Sequence, residues 1–209
     1  MKFYTIPKWT RCLQKGIRFQ GSDNEFAVYF TFDDGPDPES LPQILDILND
    51  YEAKATFFCL GEKLEKHPDL WQKMQVGGHQ IANHGYKHLD AFRHRAGHWL
   101  NNALQGRDIS SSDLFRPPYG HMRLRQKRKL LQQGFKIIFW DLMLYDYHAG
   151  MTAENMWQIF RGRVSPGSII VLHDKGRTIE KLKVFLPRAL EHIKRKGWEA
   201  RILTAELPV

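Results

Sequence analysis

Short apolar runs alternate with helix-period segments along this chain, and no other feature restricts its fold as tightly. Residues 26–32, 55–60, 80–83, 114–116, 135–140, 168–172 and 198–203 read as strands, rich in aromatic and β-branched side chains. Helices read between them. Ser40 with Gln43 gives a capping box ahead of Leu41, Ile44, Leu45 and Leu48. A second helix runs around Leu70, Trp71 and Met74 and ends at Gly77. A weak one covers 99–105, and a basic one covers 124–133, closed by Gly134. Thr152 with Glu154 opens a helix over 153–163. Leu186, Leu190 and Ile193 line the last helix, with Pro187 near its start and Gly197 past its end. Such alternation means parallel strands joined by crossovers. With 42% hydrophobic and 26% charged residues among 209, disorder is excluded. Without repeats or linkers, one α/β domain is expected, either a doubly wound sheet or a barrel. In both, chemistry sits on the loops that follow strands.

The first strand ends in Thr31-Phe32-Asp33-Asp34-Gly35-Pro36. Neighbouring strand residues face opposite ways, so Asp33 and Asp34 share a site only if the strand stops at Gly35-Pro36. One carboxylate can then ligate a metal while the other acts as base. The third strand leads to His84 and His88, spaced as on one helical face, and neutral imidazoles suit Zn²⁺. His94 and His98 repeat the spacing farther from a strand end. The fourth leads to Arg116-Pro117-Pro118-Tyr119-Gly120. Its rigid backbone can aim an N–H at a developing oxyanion, and its Arg can pair with a carboxylate. The fifth gives Trp140 and Asp141, then Asp146-Tyr147, and the sixth gives Leu172-His173-Asp174. Beside Asp146, His173 would be held charged as a general acid. Taken singly, each pattern also fits a structural role: an acidic turn, a His-rich surface, a plain loop or a satisfied histidine.

In this order the segments resemble the polysaccharide deacetylase family (carbohydrate esterase family 4, the NodB homology domain). TFDDG at 31–35, HGYKH at 84–88, RPPYG at 116–120, Asp146-Tyr147 and LHD at 172–174 match its five motifs. The resemblance implies a distorted (β/α) barrel of about seven parallel strands, a single domain over residues 23–209. It also implies metal-dependent removal of N-acetyl groups from an acetamido sugar, in a polysaccharide, a peptidoglycan-type glycan or a lipid-linked sugar. By motif, Asp34, His84 and His88 would hold a divalent metal ion, Zn²⁺ first among candidates, and Asp33 would be the general base. Arg116 would orient Asp33, and the Tyr119 backbone N–H would complete the oxyanion hole. Asp146 would tune His173, which would protonate the departing amine. Leu172, Tyr147 and Pro118 would contact the substrate, Leu172 at the acetyl methyl. Two positions depart from the family pattern: Gly85 stands where Ser or Thr is usual, and Tyr147 where Trp is usual. The rival enzyme class on the same fold is a hydrolase of a non-sugar amide or cyclic imide.

Residues 1–22 hold Lys2, Lys8, Arg11, Lys15 and Arg18 and no acidic residue. At about 100° per residue Trp9, Leu13 and Ile17 share one side, which reads as a basic amphipathic helix. It either covers the bottom of the barrel or lies on an anionic membrane surface, and the second option points to a lipid-linked substrate. Thirty-one Lys and Arg against 23 Asp and Glu leave +8, which favours anionic partners, yet no nucleic-acid motif is present and no nucleic acid is expected. The cluster Arg123, Arg125, Lys127, Arg128 and Lys129 either receives a diphosphate or forms a solvated helix face. Cys12 and Cys59 are too few for a disulfide framework. Apolar runs such as 137–140 and 169–172 fall far short of the roughly 20 residues that cross a bilayer. No secretory leader is read at the N-terminus, so a cytoplasmic location is expected, at the inner membrane face only under the second of those two options for residues 1–22.

Overall fold

The computed structural model describes residues 15–21 and 26–205. Its strands are β1 Ile17–Arg18, β2 Ala27–Asp33, β3 Thr56–Cys59, β4 Gln80–Asn83, β5 Leu114–Phe115, β6 Lys136–Ile138, β7 Leu142–Met143, β8 Ile169–His173 and β9 Glu199–Ala200. Its α-helices are α1 Leu41–Asp50, α2 Gly61–Lys66, α3 Pro68–Val76, α4 Ala96–Ser110, α5 Leu124–Gln132, α6 Ala153–Arg161 and α7 Ile179–Arg195. Side by side the strands run β1-β6-β5-β4-β3-β2-β8-β7, all parallel, with β9 against the first residues of β2.

The sheet curls back on itself, as a barrel does. Beyond Ile138 the backbone leaves β1, with Phe139 N–H still donating to the Arg18 carbonyl. It then joins β8, where Asp141 N–H donates to Ile169 and Leu142 pairs with Ile170. The buried Asp141 carboxylate seals this corner, accepting from Ile169 N–H at 2.7 Å and from Ser168 Oγ and Gln20 Nε2 at 3.1 Å. This change of partner ends the strand expected over 135–140 at Ile138, and β7 forms beyond that range. With β1 added, eight strands lie on the path among the described residues, against about seven expected from the resemblance.

Every residue of β2 is buried, as a central strand covered on both faces must be. Val28, Phe30 and Phe32 join the main core with Leu41, Ile44 and Leu48 of α1 and Leu182, Phe185 and Leu186 of α7. Alternate residues point into the barrel, where Tyr29, Phe58, Ala82, Leu114, Ile138 and Ile169 pack together. Extending those inner rows by steps of two gives Thr31 and Asp33, His84, Arg116 and His173. Period two alone gathers these polar side chains over an apolar floor.

Several local expectations differ from the structure. Ser40 precedes α1 without capping it: its Oγ donates to Asp174 Oδ1 at 2.6 Å, and Asp37 Oδ1 accepts the Glu39 and Ser40 N–H groups instead. The buried carboxylate outcompetes the helix end for the hydroxyl. Pro187 lies well inside α7 rather than near its start. Its missing N–H leaves only the carbonyl of exposed Lys183 without an intrahelical partner. Helix α4 is twice as long as its weak periodicity suggests, and α2 was not expected. Ile17–Arg18 is a strand paired with Ile137 and Ile138, not part of a helix, and Arg18 is buried, its Nη1 donating to the Thr204 carbonyl. Ladder bonds to β6 decide the matter over 15–21, whereas Trp9, Leu13 and Cys12 lie outside the described residues. No helix among the described residues is long and apolar enough to cross a membrane.

Candidate active site

Arg116 is fully buried beneath the strand ends. Its Nη1 donates to Asp33 Oδ1 at 2.6 Å and to Thr31 Oγ1 at 2.7 Å, and its Nη2 donates to the Phe139 carbonyl at 3.0 Å. The guanidinium also lies 4.0 Å over the Phe58 ring. Burial lowers the Arg116 pKa while Asp33 opposes that effect. One oxygen of Asp33 is therefore clamped from the barrel interior.

Asp34 escapes the strand alternation by adopting φ +75°, which turns its carboxylate to the same side as Asp33. His84 and His88 do not share a helical face. They sit on a loop after β4, bent at Gly85 with φ +89°. Asp34 Oδ1 lies 3.0 Å from His88 Nε2 and 3.6 Å from His84 Nε2. It is buried and makes no hydrogen bond of sound geometry. His84 Nδ1 is 2.7 Å from the Arg116 carbonyl, which fixes that nitrogen as donor and leaves the Nε2 lone pair toward Asp34. Burial depresses His84 to about 4 against the pull of Asp33 and Asp34, so the ring is neutral near pH 7. For Asp34, burial pushes upward but His88, His84 and His173 outweigh it, holding the carboxyl below the usual range. One carboxylate oxygen and two imidazole nitrogens, all within 4.8 Å of one another, fit a divalent cation. The other oxygen, Oδ2, meets Lys175 Nζ at 2.7 Å.

Across β2 from these ligands, β8 presents His173. Asp146 Oδ1 is 2.8 Å from His173 Nδ1, and Oδ2 accepts the His173 backbone N–H at 2.7 Å. Lys181 Nζ donates to the Asp146 carbonyl at 2.6 Å and steadies the loop. Burial alone would depress His173, but Asp146, with Asp33 and Asp34, more than offsets it and raises the imidazole.

A sequence profile described as polysaccharide deacetylase matches residues 20–138. The chain belongs to the polysaccharide deacetylase family. A peptidoglycan-N-acetylglucosamine deacetylase from Bacillus cereus is 33% identical over 193 residues, covering 89% of this chain and 69% of the relative. A chitooligosaccharide deacetylase from Azorhizobium caulinodans is 30% identical over 161 residues, 73% of this chain and 76% of the relative. Among solved structures, a peptidoglycan N-acetylglucosamine deacetylase in complex with 4-naphthalen-1-yl-N-oxidanyl-benzamide superposes with a TM-score of 0.87 at 30% identity, over 95% of each chain.

In this polysaccharide deacetylase, Asp33, Asp34, His84, His88, Tyr119, Tyr147 and His173 line one cavity of about 280 Å³. Tyr119 adopts φ +61°, the kind of backbone strain that concentrates at working sites. Gly120, His121, Trp140, Lys175 and Arg177 complete the wall. Of these, Lys175 follows the end of β8 by two residues, so the strand-end rule could have reached it. Leu172 is not on the wall: it has the opposite parity from His173 and packs in the main core. Pro118, buried at the start of a 3₁₀ turn, is not on the wall either and contributes backbone rigidity to Tyr119. The cations Arg123, Arg125, Lys127, Arg128 and Lys129 lie along α5 outside the cavity, and Arg123 bonds the Phe92 and His94 carbonyls. His94 and His98 meet edge to face around the start of α4 and are not part of the Asp34 cluster.

Proposed function

We propose that this protein is a metal-dependent deacetylase that removes N-acetyl groups from N-acetylglucosamine-containing glycans. The observation that carries the reading is the flanking of Asp33, itself clamped by Arg116, by the Asp34, His84 and His88 donors on one side and the His173–Asp146 pair on the other. Zn²⁺ suits those donors best, since two neutral imidazoles and one carboxylate leave open positions for substrate and water. When bound, the cation supplies Lewis acidity to the amide carbonyl and acidity to water. Asp33, aimed by Arg116, takes the proton of the attacking water. The Tyr119 N–H donates to the oxyanion that forms on the former carbonyl. His173, held through Nδ1 by Asp146, gives a proton from Nε2 to the departing sugar amine. Water and amide thus become acetate and free amine.

The wall favours a glycan over a small amide or cyclic imide. Tyr119 is 60% exposed, its neighbour His121 lines the cavity, and Phe92, 50% exposed, stacks on His121 at 4.6 Å. Rings held open to solvent beside a catalytic cleft offer the apolar face of a pyranose a platform. Both named relatives act on glycans by their descriptions. Acetate release should be measured on chitooligosaccharides, peptidoglycan glycan strands, acetanilides and cyclic imides, with and without a chelator. Metal-dependent release from the glycans supports the reading, and turnover of only the small amides or imides overturns it. Membrane contact by residues 1–22 and a lipid-linked substrate rest on sequence alone. Sedimentation with anionic liposomes tests the first, and equal binding after deletion of 1–22 contradicts it.

A further inference from the structure

The two candidate histidine ligands are held in different ways. His84 is anchored by its own ring, which is buried and bonded to the Arg116 carbonyl. His88 is partly exposed, and its ring meets Asp34 at 3.0 Å and the Tyr119 ring at 4.4 Å between centroids. Its direction therefore depends on the backbone just before it. That backbone is gripped by one side chain of α4. Asn102 Oδ1 accepts the Lys87 N–H at 2.8 Å, and Asn102 Nδ2 donates to the Lys87 carbonyl at 2.8 Å. The Asn102 carbonyl also accepts the Tyr86 N–H at 2.9 Å.

The loop is shaped around this grip. A Cβ on Gly85 would lie 2.6 Å from Asn102 Nδ2 and 3.1 Å from the Lys87 carbonyl oxygen, on a backbone already at φ +89°. A Cβ on Gly106 would collide with Asn83 Oδ1 and stand 2.8 Å from the Tyr86 nitrogen, so α4 can approach only because position 106 is bare. Asn83 braces the near end, its Oδ1 accepting the Gly85 N–H at 2.7 Å and its Nδ2 donating to the Ala103 carbonyl at 2.8 Å. The Asn102 amide occupies the space beside the bare Gly85 Cα.

We propose that Asn102 is the positioning residue of His88: its amide fixes the Lys87 peptide groups, and through them the angle at which Nε2 faces Asp34, with Gly85 bare to make room. The inference rests on the reading of Asp34, His84 and His88 as metal ligands. Zn²⁺ titration calorimetry on the full chain tests it, beside thermal unfolding in a chelator. Removing a partner that orients a metal ligand typically weakens binding 10–100-fold, and Asn102→Ala should lose about that much. Co²⁺ loaded in place of Zn²⁺ should show altered visible bands, because the His88 direction changes. Should Asn102→Ala fail to fold, Asn102→Asp keeps the size and the acceptor but loses the Nδ2 donor, and it too should bind Zn²⁺ more weakly. Wild-type affinity and unchanged Co²⁺ bands in the folded variants, with only the melting temperature lowered, would make Asn102 structural and overturn the proposal. A wild-type chain that takes up no Zn²⁺ would remove the metal centre itself, and the inference with it.

Discussion

Replacing Arg116 by Met isolates the clamp under the base. The variant keeps much of the volume but deletes four donated bonds, to Asp33, Thr31, Phe139 and, at 3.4 Å, Ile138. It leaves the Asp33 carboxylate buried without its hydrogen-bonded cation. Breaking a buried ion pair from one side costs about 3–5 kcal/mol, a large share of the about 5–15 kcal/mol that holds a typical domain together. For a domain of this size the melting temperature should fall by about 6–20 °C. Urea denaturation should be run in a chelator, so that metal binding does not add to the native state. The pairing has a sharper signature in Asp33→Asn combined with Arg116→Met. With both charges gone, the double variant should be more stable than the summed single losses imply, by about 0.5–3 kcal/mol. Strictly additive losses, or an Arg116→Met variant within about 0.5 kcal/mol of wild type, would show that the 2.6 Å contact does not couple the two residues.

His84→Ala and His88→Ala should each lose bound metal by elemental analysis, whereas His94→Ala and His98→Ala should retain it; the reverse pattern would reassign the ligands. His173→Ala should slow turnover by about 10²–10⁴-fold, the usual contribution of one acid–base group. The His173 pKa is raised in the folded chain, so the acid is present below that pKa and lost as pH rises through it. Asp146→Asn removes the largest raising partner, and the alkaline limb of the pH–rate profile should move to lower pH; an unmoved limb would separate His173 from that limb. Phe92→Ala should raise KM for chitotetraose more than for chitobiose, and an equal change for both would exclude the ring as part of the glycan platform.

The parallel α/β architecture was legible because crossover topology follows from alternating strands and helices, whereas the choice of a barrel over a doubly wound sheet came from the family resemblance; the strand ends were legible because parallel strands deliver their last residues to one rim. Asp33, His84, Arg116 and His173 could be placed by parity with Tyr29, Ala82, Leu114 and Ile169, which are apolar or aromatic and face inward. Leu172 was misplaced when read by motif, although the same parity puts it in the core. Asp34 could not be derived from parity at all, because its position depends on a positive φ that a DDGP string suggests but does not specify. The histidine pair was found by its spacing and explained wrongly, since a bent loop and not a helix brings the rings together. Asn102 and Lys181 carried no signal, because each acts on backbone far away in sequence. Ile17 and Arg18 read as helix from periodicity, yet ladder bonds to β6 outweigh the periodic pattern.

Asp33→Asn, assayed in parallel for metal content and for acetate release from an N-acetylglucosamine oligomer, bears most directly on the division of labour between the two neighbouring aspartates. A variant that holds metal as wild type does and releases no acetate is the predicted result. Loss of the metal, or continued turnover, would contradict the assignment of Asp34 as ligand and Asp33 as base.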